Sequence, residues 1–174
     1  LNRGADDYDQ LAVSGGPPLD RPRGVIWRLT SNGHAVLRAP LSQGEYHRRM
    51  ATLHEPYHAA VRRILDDKRR RFGFAVMLCA HSMPSPRSAA PGRPPPQLAD
   101  IVPGTRGRTS AGPEWIDLVE RSCLERGWTV QHDVPYRGGF ATAHYGAPAE
   151  SVHAIQLEIE TERNEAIARA AAQA

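Results

Sequence analysis

Phe74-Ala75-Val76-Met77-Leu78-Cys79-Ala80-His81-Ser82-Met83-Pro84 carries the strongest strand signal in the chain. From 74 to 80 every side chain is small or apolar, the pattern of a strand buried on both faces, as in the middle of a parallel sheet. The run then breaks at His81-Ser82-Met83-Pro84, and 84–97 is rich in Pro, Gly and Arg, the composition of an exposed loop. In open α/β sheets, ligands bind beyond the carboxyl ends of the strands. A histidine held there on a rigid backbone can reach a metal or a substrate. It is equally the polar residue that ends a core strand, and both readings stand on the residues alone.

Working outward, Ser42 can cap a helix over 43–71 that Gly73 ends. Met50, Leu53, Tyr57, Val61, Ile64 and Leu65 recur at three- and four-residue steps and define one core-facing stripe. Pro56 lies inside that helix and removes a backbone donor, so a kink or break is expected there. Arg62, Arg63, Asp66, Asp67, Lys68, Arg69 and Arg70 form a solvated far face. Upstream, 4–23 reads as loop, 24–29 as a short strand, and Ser31-Asn32-Gly33-His34 as a turn returning into a small hairpin at 35–37. Downstream, 98–102, 128–130 and 154–159 read as strands. Pro113 opens a helix that Gly127 ends, with Trp115, Leu118, Val119 and Cys123 inward, and an Ala-rich helix over 162–172 closes the chain. Residues 135–140 read as a turn-rich loop. Strands alternating with helices imply an α/β fold, organised as a single domain over residues 1–174.

Composition narrows the function classes. A net charge of +3 in 174 residues, with arginines scattered among acids, leaves no electrostatic footprint for nucleic acid, although the pI is 9.2. No apolar run approaches the roughly 20 residues that span a bilayer, and no signal peptide opens the sequence. Cys79 and Cys123 fall in a strand and a helix, which suits a reducing compartment better than a disulfide framework, so cytoplasm is expected. The sequence opens on Leu1 rather than Met, as a piece of a longer protein would.

Several groups are candidates for chemistry. Glu158 sits in the strand 154–159 among apolar neighbours. A buried carboxylate persists when it is paired, binds a metal or acts as a base, while the alternation Gln156, Glu158, Glu160 also fits the wet face of an edge strand. His54 and His58 stand four apart on a helix, the spacing that lets two imidazoles share a metal. Pro56 breaks the His-Glu-x-x-His pattern, so a packed or surface pair is the plainer reading, and Tyr57 with His58 can line a pocket. Gly104-Thr105-Arg106-Gly107-Arg108 lacks the Gly-Lys-Ser/Thr ending of a phosphate loop. No Gly-x-Ser-x-Gly elbow is present, and Ser82 points away from its neighbour His81 on an extended chain.

Taken together and in order, Leu1-Asn2-Arg3, Gly24 to Arg28, Pro56-Tyr57-His58, His81-Ser82-Met83-Pro84-Ser85, Asp100-Ile101-Val102, Pro135-Tyr136-Arg137-Gly138-Gly139, His144-Tyr145-Gly146 and Ala154 to Ile159 resemble the N-formylglutamate amidohydrolase (deformylase) family. The resemblance implies a three-layer α/β fold, a mixed sheet flanked by helices, of the phosphorylase/hydrolase-like kind found in zinc-dependent exopeptidases. It implies zinc-dependent hydrolysis of a small acidic N-acyl amino acid: N-formyl-L-glutamate and water give glutamate and formate, late in histidine degradation. By the same resemblance His81 corresponds to a zinc ligand and Glu158 to the carboxylate that activates water. Asn2 and Arg3 belong to the substrate pocket, with Tyr57, His58, Arg28 and Arg137 as further binding candidates. Surface or structural roles remain open for Arg28 and Arg137.

The sequence also departs from the family pattern. Cys79 stands where an Asp usually orients the histidine ligand, a partner whose loss typically costs about 10–100-fold in affinity or activity. Thr105 replaces an acidic residue, Ala143 an Arg, and Glu160 an Asn. The part of the domain that would bring the remaining zinc ligands is expected to lie outside this sequence, so this chain alone is expected to be inactive. A non-catalytic binding or scaffold domain is the alternative, and the oligomeric state is open.

Overall fold

The computed structural model describes residues 1–83 and 99–161. The loop expected over 84–97 and the helix expected over 162–172 lie outside the described residues. The chain divides into two compact units, Leu1–Ile64 and Leu65–Ala174.

The first unit is mostly irregular chain around a small apolar core of Ala12, Val13, Ile26, Tyr46 and Met50. The strand expected at 24–29 is reduced to isolated bridges, Arg23 with Trp27 and Leu29 with Ala35. The turn between Leu29 and Ala35 forms as its Asn-Gly chemistry dictates, with Gly33 at φ +81°. What orders this loop-rich region is Asp9, whose carboxylate accepts hydrogen bonds from the backbone N–H groups of Leu11, Ala12 and Arg21 and from Arg28 Nε.

Ser42 caps α1 (Gln43–Arg49) by accepting from Glu45 N, as its residue type predicts. Glu45 in turn takes hydrogen bonds from Arg48 and then Arg49, which hold its carboxyl down at about 2. The break expected at Pro56 appears as a π-helical turn over Met50–His54, leading into α2 (Glu55–Phe72). Proline has no N–H to return and its ring crowds the carbonyl four residues back, so the wider turn just upstream accommodates both. The extra residue rotates the helix face. His54, His58 and Leu65 are buried, whereas Leu53, Tyr57 and Ile64 of the expected apolar stripe are exposed. A strict helical period could not foresee that phase change. Gly73, at φ +81°, ends α2.

The second unit is built on a three-stranded sheet in the order β1 (Ala75–Met83), β3 (Val152–Glu160), β2 (Ile101–Gly104). β1 runs parallel to β3 and β2 antiparallel, giving a mixed sheet. α3 (Pro113–Leu124) opens on Pro113 and packs Ile116 against Ile155 and Ala111. Ile116 and Ile155 are fully buried, each contributing on the order of 1.5–3 kcal/mol. The short helix α4 (Phe140–Tyr145) packs on β3. The sequence reading ended its turn-rich loop at Phe140 and assigned no element to 141–145.

Two expectations about the strands change. β1 parallels its neighbour as expected, but it is not buried on both faces: Leu78 is 53% exposed, and Ala80 and Ser82 are also exposed. Among the described residues it lies at the sheet edge. Its small residues imitate a core strand because Ala and Cys fit either environment. The central position belongs to β3, continuously buried from Val152 to Gln156, so Glu158 does not lie on the wet face of an edge strand. β1 also extends to Met83, which places His81 within the strand rather than just past it.

Candidate functional site

His81 and Glu158 are Cα partners on the parallel strands β1 and β3. Side chains alternate along a strand, so partnered residues share one face of the sheet, and His81, Glu158, Cys79, Gln156 and Glu160 all lie on it. That face is the more buried one of β3. Glu158 is 7% exposed and Gln156 5%, whereas Leu157 and Ile159 on the other face are only half-buried. Gln156 Nε2 donates to Glu158 Oε1 at 2.7 Å, and its own Oε1 accepts from Gly139 N at 2.9 Å. Among the described residues no Arg or Lys pairs with the Glu158 carboxylate. Burial pushes the Cys79 thiol up.

Arg137 is exposed in the turn that follows the Val134–Pro135 cis bond. The turn is fastened to the sheet, because Arg106 N donates to Arg137 O at 2.9 Å and Gly104 lies so close that an added Cβ would sit 2.5 Å from Gly138 N. The Gly-rich run after β2 has spent its amides internally. Asp133 accepts from Thr105 N and Gly107 N, and Thr105 Oγ1 donates to it as well.

The other candidates gather in the first unit. The His58 and His54 rings lie 4.3 Å apart, and their Nε2 atoms hydrogen-bond the carbonyls of Leu1 (3.1 Å) and Arg3 (2.9 Å). The pair is packed and pins the 1–3 backbone, which presents Asn2 and Arg3. Tyr57, 45% exposed, meets His58 edge-on. Arg3 Nη1 donates to Asn2 O at 2.7 Å and its Nε lies 3.6 Å from Asp7. An open cleft of about 440 Å³ is lined by Arg3, Asp7, Asp20, Arg21, Pro22 and Arg23. Arg28 is engaged by Asp9 and Asp20, an ion-paired position within the loop-rich core.

With this geometry in view, the sequence model of the family described as N-formylglutamate amidohydrolase matches residues 1–163. The chain belongs to the N-formylglutamate amidohydrolase family. Among its relatives are the N-formylglutamate deformylases of Pseudomonas putida, 35% identical over 66% of this chain and 42% of that protein, and of Pseudomonas aeruginosa, 33% identical over 91% and 57%. The crystal structure of N-formylglutamate amidohydrolase from Ralstonia eutropha JMP134 superposes with a TM-score of 0.77 at 33% identity, covering 92% of this chain and 61% of that one. The chain spans about half the length of the curated relatives it matches.

As a member of this amidohydrolase family the chain invites a test of its donor atoms for zinc. Among the described residues no three His, Cys, Asp or Glu side chains come together as a metal site. The described residues alone therefore do not supply the three protein ligands a catalytic zinc requires. Three ordering contacts escaped the sequence reading. Gln156 was detectable, since it lies two residues before Glu158 on the same face. Asp9 and Asp133 lie in loops, and nothing in their local spacing announces the distant amides they bind.

Proposed function

We propose that the chain carries the Glu158 part of an amidohydrolase site acting on a small acidic N-acyl amino acid, N-formyl-L-glutamate foremost. The observation that supports this is a buried carboxylate on the central strand, in register with a histidine and held by one neutral donor, in a chain of this family. Glu158 accepts a proton from the attacking water and returns it to the departing amine, so the amide C–N bond breaks without leaving a charged amide nitrogen. Arg137 offers the two-pronged donor that a substrate carboxylate needs, while Arg3, Asn2, Tyr57 and His58 stay binding candidates of the first unit on the family resemblance. Arg28 is the weakest of these candidates, because two carboxylates already hold it. A zinc ion held by His81 together with groups outside the described residues would polarise the formyl carbonyl. On this reading the α/β fold is that of the zinc-dependent exopeptidases, and the 174 residues alone do not turn over substrate.

One observation favours a second reading, a non-catalytic domain that binds small carboxylates: no three-ligand metal cluster occurs among the described residues. Zinc per chain and formate release from N-formyl-L-glutamate separate the two. Both are measured on this chain alone and on the complete product of its gene. Stoichiometric zinc with Glu158-dependent formate release in the complete product supports the hydrolase. No zinc and no formate in either preparation establishes the binding domain instead.

A further inference from the structure

We infer that Gln156 is a positioning residue that fixes the Glu158 carboxylate and ties it to the 135–139 turn carrying Arg137. The inference deepens the proposed hydrolysis and rests on that reading of Glu158 as the proton acceptor.

Gln156 lies on the central strand and is 5% exposed, so both ends of its amide need partners. The partners fix its orientation. Gly139 N–H can only donate, and it meets Gln156 Oε1 at 2.9 Å. The opposite end must then be the NH₂ group, which donates to Glu158 Oε1 at 2.7 Å. A flipped amide would face its carbonyl to the carboxylate and its NH₂ to an N–H, losing both bonds. One Glu158 oxygen is thereby held, and the carboxylate plane with it, while Oε2 receives no hydrogen bond from the described residues. A neutral donor does this without cancelling the charge, which an arginine in the same place would do.

The far end of the contact is equally rigid. Gly104 is the Cα partner of Gln156 on β2, and its backbone abuts Gly138. Gly138 is at φ +94°, and a Cβ there would sit 2.5 Å from Thr142 Oγ1. The turn therefore has little freedom to leave Gln156. Displacement of the Arg137 turn would pull the acceptor of Gly139 N–H and, through one amide group, the carboxylate of Glu158.

The test reads the contact and the chemistry separately. By NMR on the whole chain, which requires no turnover, one Gln156 side-chain NH₂ proton is expected downfield of ordinary amides, and Glu158→Gln returns it to the ordinary range. Gln156→Met, which keeps the length and loses the bonds, is expected to speed Gly139 amide exchange about two- to tenfold, the equivalent of one net hydrogen bond. In any preparation that releases formate, Gln156→Met lowers kcat by about 10–100-fold, as loss of an orienting partner does, while KM changes far less. An unshifted Gln156 signal that ignores Glu158→Gln, or an equal fall in stability and KM with kcat retained, overturns the positioning role. Persistence of the NMR signature without formate release in any preparation overturns the hydrolytic reading and leaves the contact standing. The wild-type signal and its response to Glu158→Gln decide the matter even if Gln156→Met fails to fold.

Discussion

The Leu1–Ile64 unit and the sheet unit each bury a carboxylate, and each treats it differently. Asp9 accepts from three backbone N–H groups and from the Arg28 guanidinium. Burial works against its charge, but the hydrogen bonds from Arg21 N, Arg28 and Ala12 N outweigh that and hold the carboxyl below the usual range. Glu158 is held by one neutral amide, with no cation beside it among the described residues. A carboxylate saturated with donors organises loops and has no capacity left for chemistry. One held at a single oxygen is oriented and keeps acceptor capacity on the other.

That contrast breaks first at Asp9. Asp9→Ala removes the acceptor of three backbone amides and leaves Arg28 with Asp20 alone, and should cost about 2–4 kcal/mol, roughly 1 for each of the four hydrogen bonds lost, read by denaturant unfolding of the first unit. A loss under about 1 kcal/mol would show that the loops order themselves. Acid probes the same group in the wild type. Because the folded carboxyl lies below its unfolded value, its stabilisation is fully present above the ordinary Asp range and disappears as pH falls through the folded value. Asp9→Asn should flatten that part of the stability–pH curve, and an unchanged slope would assign it elsewhere.

His153 sharpens the comparison with a buried base. Burial pushes its imidazole down, with Glu114 opposing weakly, and its Nδ1 accepts from Gly112 N at 3.0 Å. The neutral ring is the folded form. Its contribution is present above the unfolded value of about 6.5 and is lost as pH falls toward the folded one. His153→Phe should remove that dependence from the melting of the sheet unit. The smallest effect is expected at Glu158, where Glu158→Gln should change stability by no more than about 1 kcal/mol in either direction, since one hydrogen bond is at stake. A loss as large as that of Asp9→Ala would make Glu158 a structural carboxylate.

How much was legible in the sequence follows from which forces act locally. Ser42, Pro113, Gly33, Gly73 and Gly127 marked their caps and turns because those signals depend on a few consecutive residues. The pairing of His81 with Glu158 joins residues far apart in sequence, and only the family resemblance brought them together. Strand centrality was misjudged because small residues in β1 imitate a core strand, while the polar alternation of β3 hides a central one. The phase of α2 was lost to a π turn that no strict period contains.

Formate release from N-formyl-L-glutamate by the complete gene product with zinc, compared between wild type and Glu158→Gln, tests the central claim most directly. The substitution is expected to lower turnover by about 10²- to 10⁴-fold, the usual worth of a positioned proton acceptor, while the melting curve stays nearly in place. Retained turnover in Glu158→Gln would contradict that claim.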